Sequence, residues 1–446
     1  MTSHPRSDDP PDDPLTASQF PGTAAIRDQQ LAALDELLSE MRPGNRFYAE
    51  KLNRAGVPQR LESLEQFSAL VDFTDKQHLS DDQLANPPYG TNLSYPLEAY
   101  TRVHQTSGTS GVILRWLDTS ESWSWMLEAW CKVYRNAGIV ADDRVFFAFS
   151  YGPFLGFWTA FEAAVRLQCL AIPGGGMSNL ARLQSIRDNN VTVVCCTPSY
   201  ALRLAEVARE ENVDFGTLSV RRLIVGGEPG GSVPEIRARI EAAWKGARVV
   251  DHHGMTEVGP VTHECPETPG QLHVMEAHYY PEIIDPGTGH ATPDGEIGEL
   301  VLTTLGRHGS PLLRYRTGDL VRPRREQPCR CGRYTLALEG GILARCDDMV
   351  VVRGVNLYPS AVESVIRATG DVVEYRVEIR EHKEMAEISV FAELGSGVTE
   401  SAQVIHQLEE SLRATFGLRV PVQEAPAGSL PRFELKAKRW VRVSED

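Results

Sequence analysis

At 446 residues, 42% of them hydrophobic and 24% charged, the chain has the length for two or three domains and the composition of an ordinary globular protein. A formal net charge of -15 excludes a broad nucleic-acid surface, which needs a basic face, but leaves room for a small cationic pocket. No apolar run approaches the ~20 residues of a membrane span. The Pro/Asp/Ser-rich start, residues 1–22, reads as a disordered tail and not a secretory signal, and eight cysteines without a small secreted framework point to a reducing cytoplasm.

Ile26–Met41 places apolar residues at helical spacing and is expected to be an amphipathic helix. Next comes QTSGTSG, in which Thr106, Ser107, Thr109 and Ser110 alternate with Gly108 and Gly111. Glycine permits the backbone to turn with positive φ, and successive N–H groups with nearby hydroxyls make a nest for anionic oxygens. The Gly-x4-Gly-Lys spacing of a Walker loop is absent. A helix rich in tryptophan is expected over Ser122–Ala137, followed by alternating strands and helices: strand Arg144–Ser150, helix Leu155–Gln168, strand Val191–Thr197, strand Arg221–Glu228 and strand ARVVDHHG. Apolar strands alternating with helices predict an α/β fold with a parallel sheet covered on both faces, and ligands gather at the carboxyl ends of such strands.

After Gly259 the text changes to short strands broken by Pro and Gly (HYYPEII, GELVLTTL, LLRYR, DLVRP), a β-rich subdomain over about residues 260–344 within a large domain of residues 23–344. Residues 345–446 read as a small α+β domain. Within the β-rich part, Cys265 and His273 form one soft-ligand pair and Cys329 and Cys331 a second, the inventory of a tetrahedral structural zinc with no open position. Cys195 and Cys196 sit in an apolar strand and read as core.

Five further strings follow the Ser/Thr/Gly loop in order: GGEPGG (Gly226–Gly231), DHHGMTEVGP (Asp251–Pro260), RYRTGDLV (Arg314–Val321), ARCDDMVVVRGVNLYP (Ala344–Pro359) and GSLPRFELKAKR (Gly428–Arg439). Together they resemble the adenylate-forming, acyl-CoA synthetase superfamily, and His278–Leu305 resembles its phenylacetate–CoA ligase branch. The resemblance implies ATP-dependent activation of a carboxylic acid as acyl-AMP, followed by thioester formation with CoA, and a mobile C-terminal domain. It assigns Thr106 to Gly111 to the β- and γ-phosphates, and Gly227, Glu228 and Pro229 to the adenine. Asp251, His252, His253, Gly254 and Met255 carry the next nucleotide contacts, with His253 where a stacking tyrosine is usual. Thr256 meets phosphate and Glu257 associates with Mg2+, a hard cation suited to a carboxylate. Asp319 accepts the ribose hydroxyls, Arg345 meets the nucleotide, Asp347 is the hinge, and Lys436 is the catalytic cation, with Lys438 as the alternative.

Besides His253, two departures from the family pattern stand out. Val112–Arg115 replaces the usual lysine after the phosphate loop, and Leu435 replaces the glycine before the catalytic lysine. Tyr151, Phe154 and Trp158 fall where the resemblance places aromatic walls around an aryl or other compact hydrophobic acid. Transfer of the adenylate to an amine, a carrier protein or an inorganic acceptor such as nitrite stays open at this point, as does a nucleotide-binding regulator without catalysis. The oligomeric state is also open, a homodimer among the options.

Overall fold

The computed structural model describes residues 20–106, 113–149, 151–325, 328–348, 350–352, 355–382, 385–395, 397–432 and 438–443. Ser107, Gly108, Thr109, Ser110, Gly111 and Lys436 therefore lie outside the described residues, as does most of the expected tail.

The first helix, α1 (Thr23–Met41), buries Ile26, Leu34, Leu37, Leu38 and Met41, the one-sided stripe that its spacing predicts. Three short helices follow that apolar periodicity did not announce: α2 (Arg46–Arg54), α3 (Leu64–Leu70) and α4 (Lys76–Ala85). Each begins at a polar cap, with the side chains of Asn45, Ser63 and Asp75 accepting from the backbone N–H three residues on. A hairpin of β1 (Tyr100–Gln105) and β2 (Arg115–Thr119) then encloses the Ser/Thr/Gly loop and leads into α5 (Ser120–Asn136).

The expected parallel sheet follows, built from β3 (Arg144–Phe147), β4 (Leu170–Pro173), β5 (Val193–Cys196), β6 (Arg222–Val225) and β7 (Arg248–Asp251) in the order β4-β3-β5-β6-β7. Connecting them are α6 (Trp158–Arg166), α7 (Asn179–Asp188), α8 (Pro198–Glu210) and α9 (Pro234–Ala243). β5 is buried throughout, as a strand covered on both faces must be. The strand expected to reach Ser150 stops at Phe147, and the helix expected from Leu155 starts at Trp158. The reason lies in the chain between them, which crosses to the hairpin so that the Pro153 carbonyl accepts from Gln105 N at 2.7 Å.

The β-rich part opens with a small hairpin of β8 (Gly254–Met255) and β9 (Gly259–Pro260), whose turn is Thr256–Glu257–Val258. Two four-stranded antiparallel sheets complete it. One joins β10 (Thr262–Glu264), β11 (Gln271–Val274), β16 (Ala337–Glu339) and β15 (Pro323–Arg324); the other joins β12 (Tyr279–Ile284), β13 (Gly298–Thr304), β14 (Tyr315–Val321) and β17 (Ala344–Arg345). The two strands expected in LLRYR and DLVRP are largely one, β14, because Arg314 turns at φ +46° just before it.

The C-terminal sheet has six strands: β18 (Val350–Val352), β19 (Val355–Leu357), β20 (Val372–His382), β21 (Met385–Leu394), β22 (Val422–Ala425) and β23 (Trp440–Val443). Helices α10 (Pro359–Ala368) and α11 (Ser401–Phe416) supply Val362, Ile366, Leu408 and Leu412 to a core separate from that of the large sheet. Among the described residues no helix is long and apolar enough to cross a membrane.

Candidate active site

The carboxyl edge of the parallel sheet brings the sequence motifs together. GGE follows β6, HHG follows β7, and the Thr256–Glu257 turn stands directly beyond. Thr106, the last described residue before the Ser/Thr/Gly segment, closes the hairpin: its N–H donates to Leu114 O at 2.9 Å and its hydroxyl accepts from Leu114 N at 3.1 Å. Arg115, one candidate for the missing cation, instead reaches the Pro88 carbonyl at 3.4 Å.

Asp319 is the centre of an ionic cluster with His253 and Arg345. Its carboxylate is almost wholly buried in β14, with Oδ2 accepting from His253 Nε2 at 2.8 Å and Oδ1 from Arg345 Nη1 at 2.9 Å. Strand pairing makes this geometry, since Asp319 and Arg345 are register partners between β14 and β17. His253 is thereby fixed edge-on by the same carboxylate that the resemblance assigns to the ribose. Lys438 is exposed, and Asp347 lies in a short 3-10 turn, Cys346–Asp348, straight after Arg345.

Several residues that the resemblance assigns to the nucleotide are bonded to protein groups. Glu228 accepts from Ser199 N at 2.7 Å and also bonds the Ser199 hydroxyl, which pins the loop after β6, where Gly227 adopts φ +86°. Asp251 turns beneath that loop: Oδ2 accepts from Ser232 Oγ at 2.5 Å. Burial, with Glu264 nearby, pushes the Asp251 carboxyl up to about 7 against the opposing effect of the Ser232 bond. His252 points away from His253 and packs edge-on against Trp130, ring centroids 4.3 Å apart. Burial, and then the neighbouring His253, bring it down to about 3, so it is a neutral imidazole with both nitrogens unpartnered.

Of the three expected acid-pocket aromatics, only Tyr151 reaches inward, its hydroxyl buried without a partner. Phe154 and Trp158 are 42% and 36% exposed. The inner aromatic layer is instead Phe149 stacked on Phe157, with Trp130 and His252 beside them.

The two soft-ligand pairs converge. The ligand atoms of Cys265, His273, Cys329 and Cys331 all lie within 4.8 Å of one another, with Cys265 and Cys329 sulfurs 3.9 Å apart and Cys331 Sγ 3.4 Å from His273 Nε2. A zinc–sulfur bond of about 2.3 Å in tetrahedral geometry gives ligand separations of about 3.8 Å, so the donor set fits that ion. His273 Nδ1 lies 3.1 Å from Thr335 Oγ1 and 3.4 Å from Thr335 O, which fixes the ring with Nε2 toward the sulfurs. The Cys265 thiol, then His273 and Arg333, favour the thiolate of Cys331 over burial.

Two residues had no motif to announce them. Asp118 on β2 and Arg307 between β13 and β14 form an ion pair in which both side chains are 0% exposed. An acid inside the apolar strand WLDT, next to a phosphate-type loop, was the readable signal for Asp118. Arg307 had none.

The chain matches the family model for AMP-binding enzymes over residues 105–306 and that for the AMP-binding enzyme C-terminal domain over residues 354–442. The class is therefore that of AMP-forming acid–thiol ligases. It is 33% identical to the phenylacetate–coenzyme A ligase of Pseudomonas putida over 427 residues, 93% of each chain. A crystal structure of 2-hydroxyisobutyryl-CoA ligase in the postadenylation state, with its acyl-AMP, superposes with a TM-score of 0.89 at 28% identity, covering 95% of this chain and 91% of that one. The same ligase in its thioesterification state, with acyl-AMP and CoA, gives 0.71 at 29% identity, again covering 95% and 91%. The chain belongs to the phenylacetate–coenzyme A ligase family, whose reaction is ATP-dependent formation of an acyl-AMP and then of a CoA thioester. Its overall arrangement is nearer the postadenylation state of that neighbour than the later one.

Proposed function

We propose that this ligase activates a compact, largely hydrophobic carboxylic acid, aryl or branched, and transfers it to CoA. The observation that carries the reading is the Asp319 carboxylate, held between Arg345 and His253 beside the Thr256–Glu257 turn. A two-oxygen acceptor so oriented suits a ribose diol and sets the nucleotide along the sheet edge. The acid lies over the Phe149, Phe157, Trp130 and Tyr151 layer, close to the loop after β6. Such apolar walls exclude water from the reacting carboxylate.

In the first half-reaction the carboxylate oxygen attacks the α-phosphorus and pyrophosphate leaves; in the second, the CoA thiolate attacks the acyl carbon and AMP leaves. Lys436 brings one cation to two mutually repelling anions, and Asp347 turns the C-terminal domain between the halves. Glu257 is the residue that would hold Mg2+, which neutralises phosphate charge when bound. Cys265, His273, Cys329 and Cys331 would hold a zinc ion that staples β10, β11 and the Cys329–Cys331 turn, a structural role with no position left for substrate.

Pyrophosphate release, measured with and without CoA across aryl, branched and linear acids, tests the reading. Acid-dependent release that yields free thioester only with CoA is expected. Equal turnover without CoA, in the presence of an amine or a carrier protein, would transfer the assignment to those acceptors.

A further inference from the structure

We propose that Arg307, held by Asp118, is a positioning residue for adenylation: it locks the Thr256–Glu257 turn to the base of the phosphate-loop hairpin. The proposal rests on the assignment of that turn and that loop to the nucleotide, made above.

The guanidinium uses its fork in two directions. Nε donates to Asp118 Oδ1 at 2.7 Å and Nη2 to Oδ2 at 2.8 Å, a side-on bidentate pair. Nη1 donates both its protons, to Thr256 O at 2.9 Å and Glu257 O at 2.8 Å. Fixing two successive carbonyls sets the peptide planes that carry the Thr256 hydroxyl and the Glu257 carboxylate. Asp118 belongs to β2, the strand that leaves the phosphate loop, so one side chain couples both phosphate-side elements without passing through the large sheet.

The segment carrying Arg307 is itself pressed onto that hairpin and α5. A Cβ on Gly306 would come within 2.3 Å of the Trp125 ring, so only glycine allows the approach. Ser310 Oγ donates to Leu117 O at 2.8 Å, Gly309 N donates to Ser122 Oγ at 3.2 Å, and Tyr100 donates to Gly309 O at 2.5 Å. On the far side of the turn, Tyr279 Oη lies 2.8 Å from both Val258 O and Pro260 O.

A buried ion pair is often no better for stability than well-packed apolar side chains of similar volume. Stability alone therefore does not account for a charged pair with zero exposure here. A planar donor set that satisfies one carboxylate and two carbonyls together does, and lysine, with a tetrahedral ammonium, cannot replace it.

The test uses the full chain and two variants. The double variant Asp118→Leu/Arg307→Met removes both charges while filling the space; Arg307→Lys keeps the pair but not the double carbonyl grip. Melting temperature, ATP affinity with and without Mg2+, and single-turnover acid-dependent pyrophosphate release are measured for each. The double variant is expected to fold, to lose most of the Mg2+-dependent gain in ATP affinity, and to release pyrophosphate on the order of 100-fold more slowly. Arg307→Lys is expected to show the same pattern to a smaller degree, and it decides the matter if the double variant does not fold. A folded variant of either kind with wild-type Mg2+ dependence and release rate overturns the proposal. Wild-type chain that binds ATP yet releases no pyrophosphate with any acid overturns the activation reading instead, and the Mg2+-dependent affinities then decide the positioning role alone.

Discussion

Two aspartate–arginine pairs hold the His253–Glu257 segment of this ligase, and they differ in one respect. Asp118 and Arg307 are both sealed at 0% exposure, whereas Asp319 is 4% exposed and Arg345 38%. The sealed pair spends its donors on protein groups: the four guanidinium hydrogen bonds go to Asp118 and the Thr256–Glu257 turn, and the Trp116 ring centroid lies 5.4 Å from the guanidinium carbon. The open pair lies on paired strands just before the Cys346–Asp348 turn, with the arginine side open to solvent. The same ionic chemistry therefore ties protein segments together when buried and stays open to solvent when half exposed. Desolvation sets the difference: a buried charge left alone is very costly, while an exposed partner is rehydrated at little loss.

The largest effect expected is on folding. Arg307→Gln should cost about 3–5 kcal/mol by stranding Asp118, whereas Arg345→Gln should cost less than about 1 kcal/mol. Denaturant melts of the two variants check this, and equal losses would break the comparison. Lys436→Ala should slow the first half-reaction on the order of 100- to 1,000-fold with ATP still bound. Acid-dependent pyrophosphate release measures it, and a rate near wild type would move the role to the exposed Lys438. Asp319→Asn leaves the fold in place but removes the charge that Arg345 and His253 share. The KM for ATP should rise by about 10- to 100-fold, in line with the loss of charge-assisted hydrogen bonds.

Smaller changes are expected farther from the pair. Cys329→Ser should reduce bound zinc below one per chain and lower Tm by roughly 5 °C, with ATP affinity nearly unchanged. Elemental analysis of protein purified without chelator, beside a thermal melt, tests both statements. The last effect is a slope. The folded Asp251 carboxyl titrates near about 7, above its unfolded value, so the unfolded chain is ionised first. Asp251 therefore makes stability fall as pH rises from about 4 to about 7. Asp251→Asn should be the flatter of the two when unfolding free energies are compared across that window.

The motifs that announced themselves share a property: glycines, hydroxyls and acids in turn-rich text, where a polar cluster has no structural excuse. GGEPGG, the Thr256–Glu257 turn and the Asp319 motif all reached the carboxyl edge of the sheet in this way. The parallel strands were legible because burial on both faces leaves an unbroken apolar run. The helices α2 to α4 were not, since they are only 7 to 10 residues long and bury just two residues each. Phe154 and Trp158 were assigned to the acid pocket by the resemblance; the chain after β3 crosses to the β1–β2 hairpin and leaves both partly exposed, a degree of exposure that residue type does not foretell.

By itself the sequence determined the family, the order of its motifs and the four Cys and His residues that converge in the β-rich part, because those depend on residue type and local spacing. Which way each side chain turns was decided only by the tertiary structure. Adjacent residues such as His252 and His253 emerge on opposite sides of one chain, and no local pattern says which side faces Trp130 and which Asp319. Arg307 is the limiting case: its four hydrogen bonds join segments 50 and 189 residues away, and a guanidinium between two strands acquires that role only when strand β2 and the Thr256–Glu257 turn fold against it.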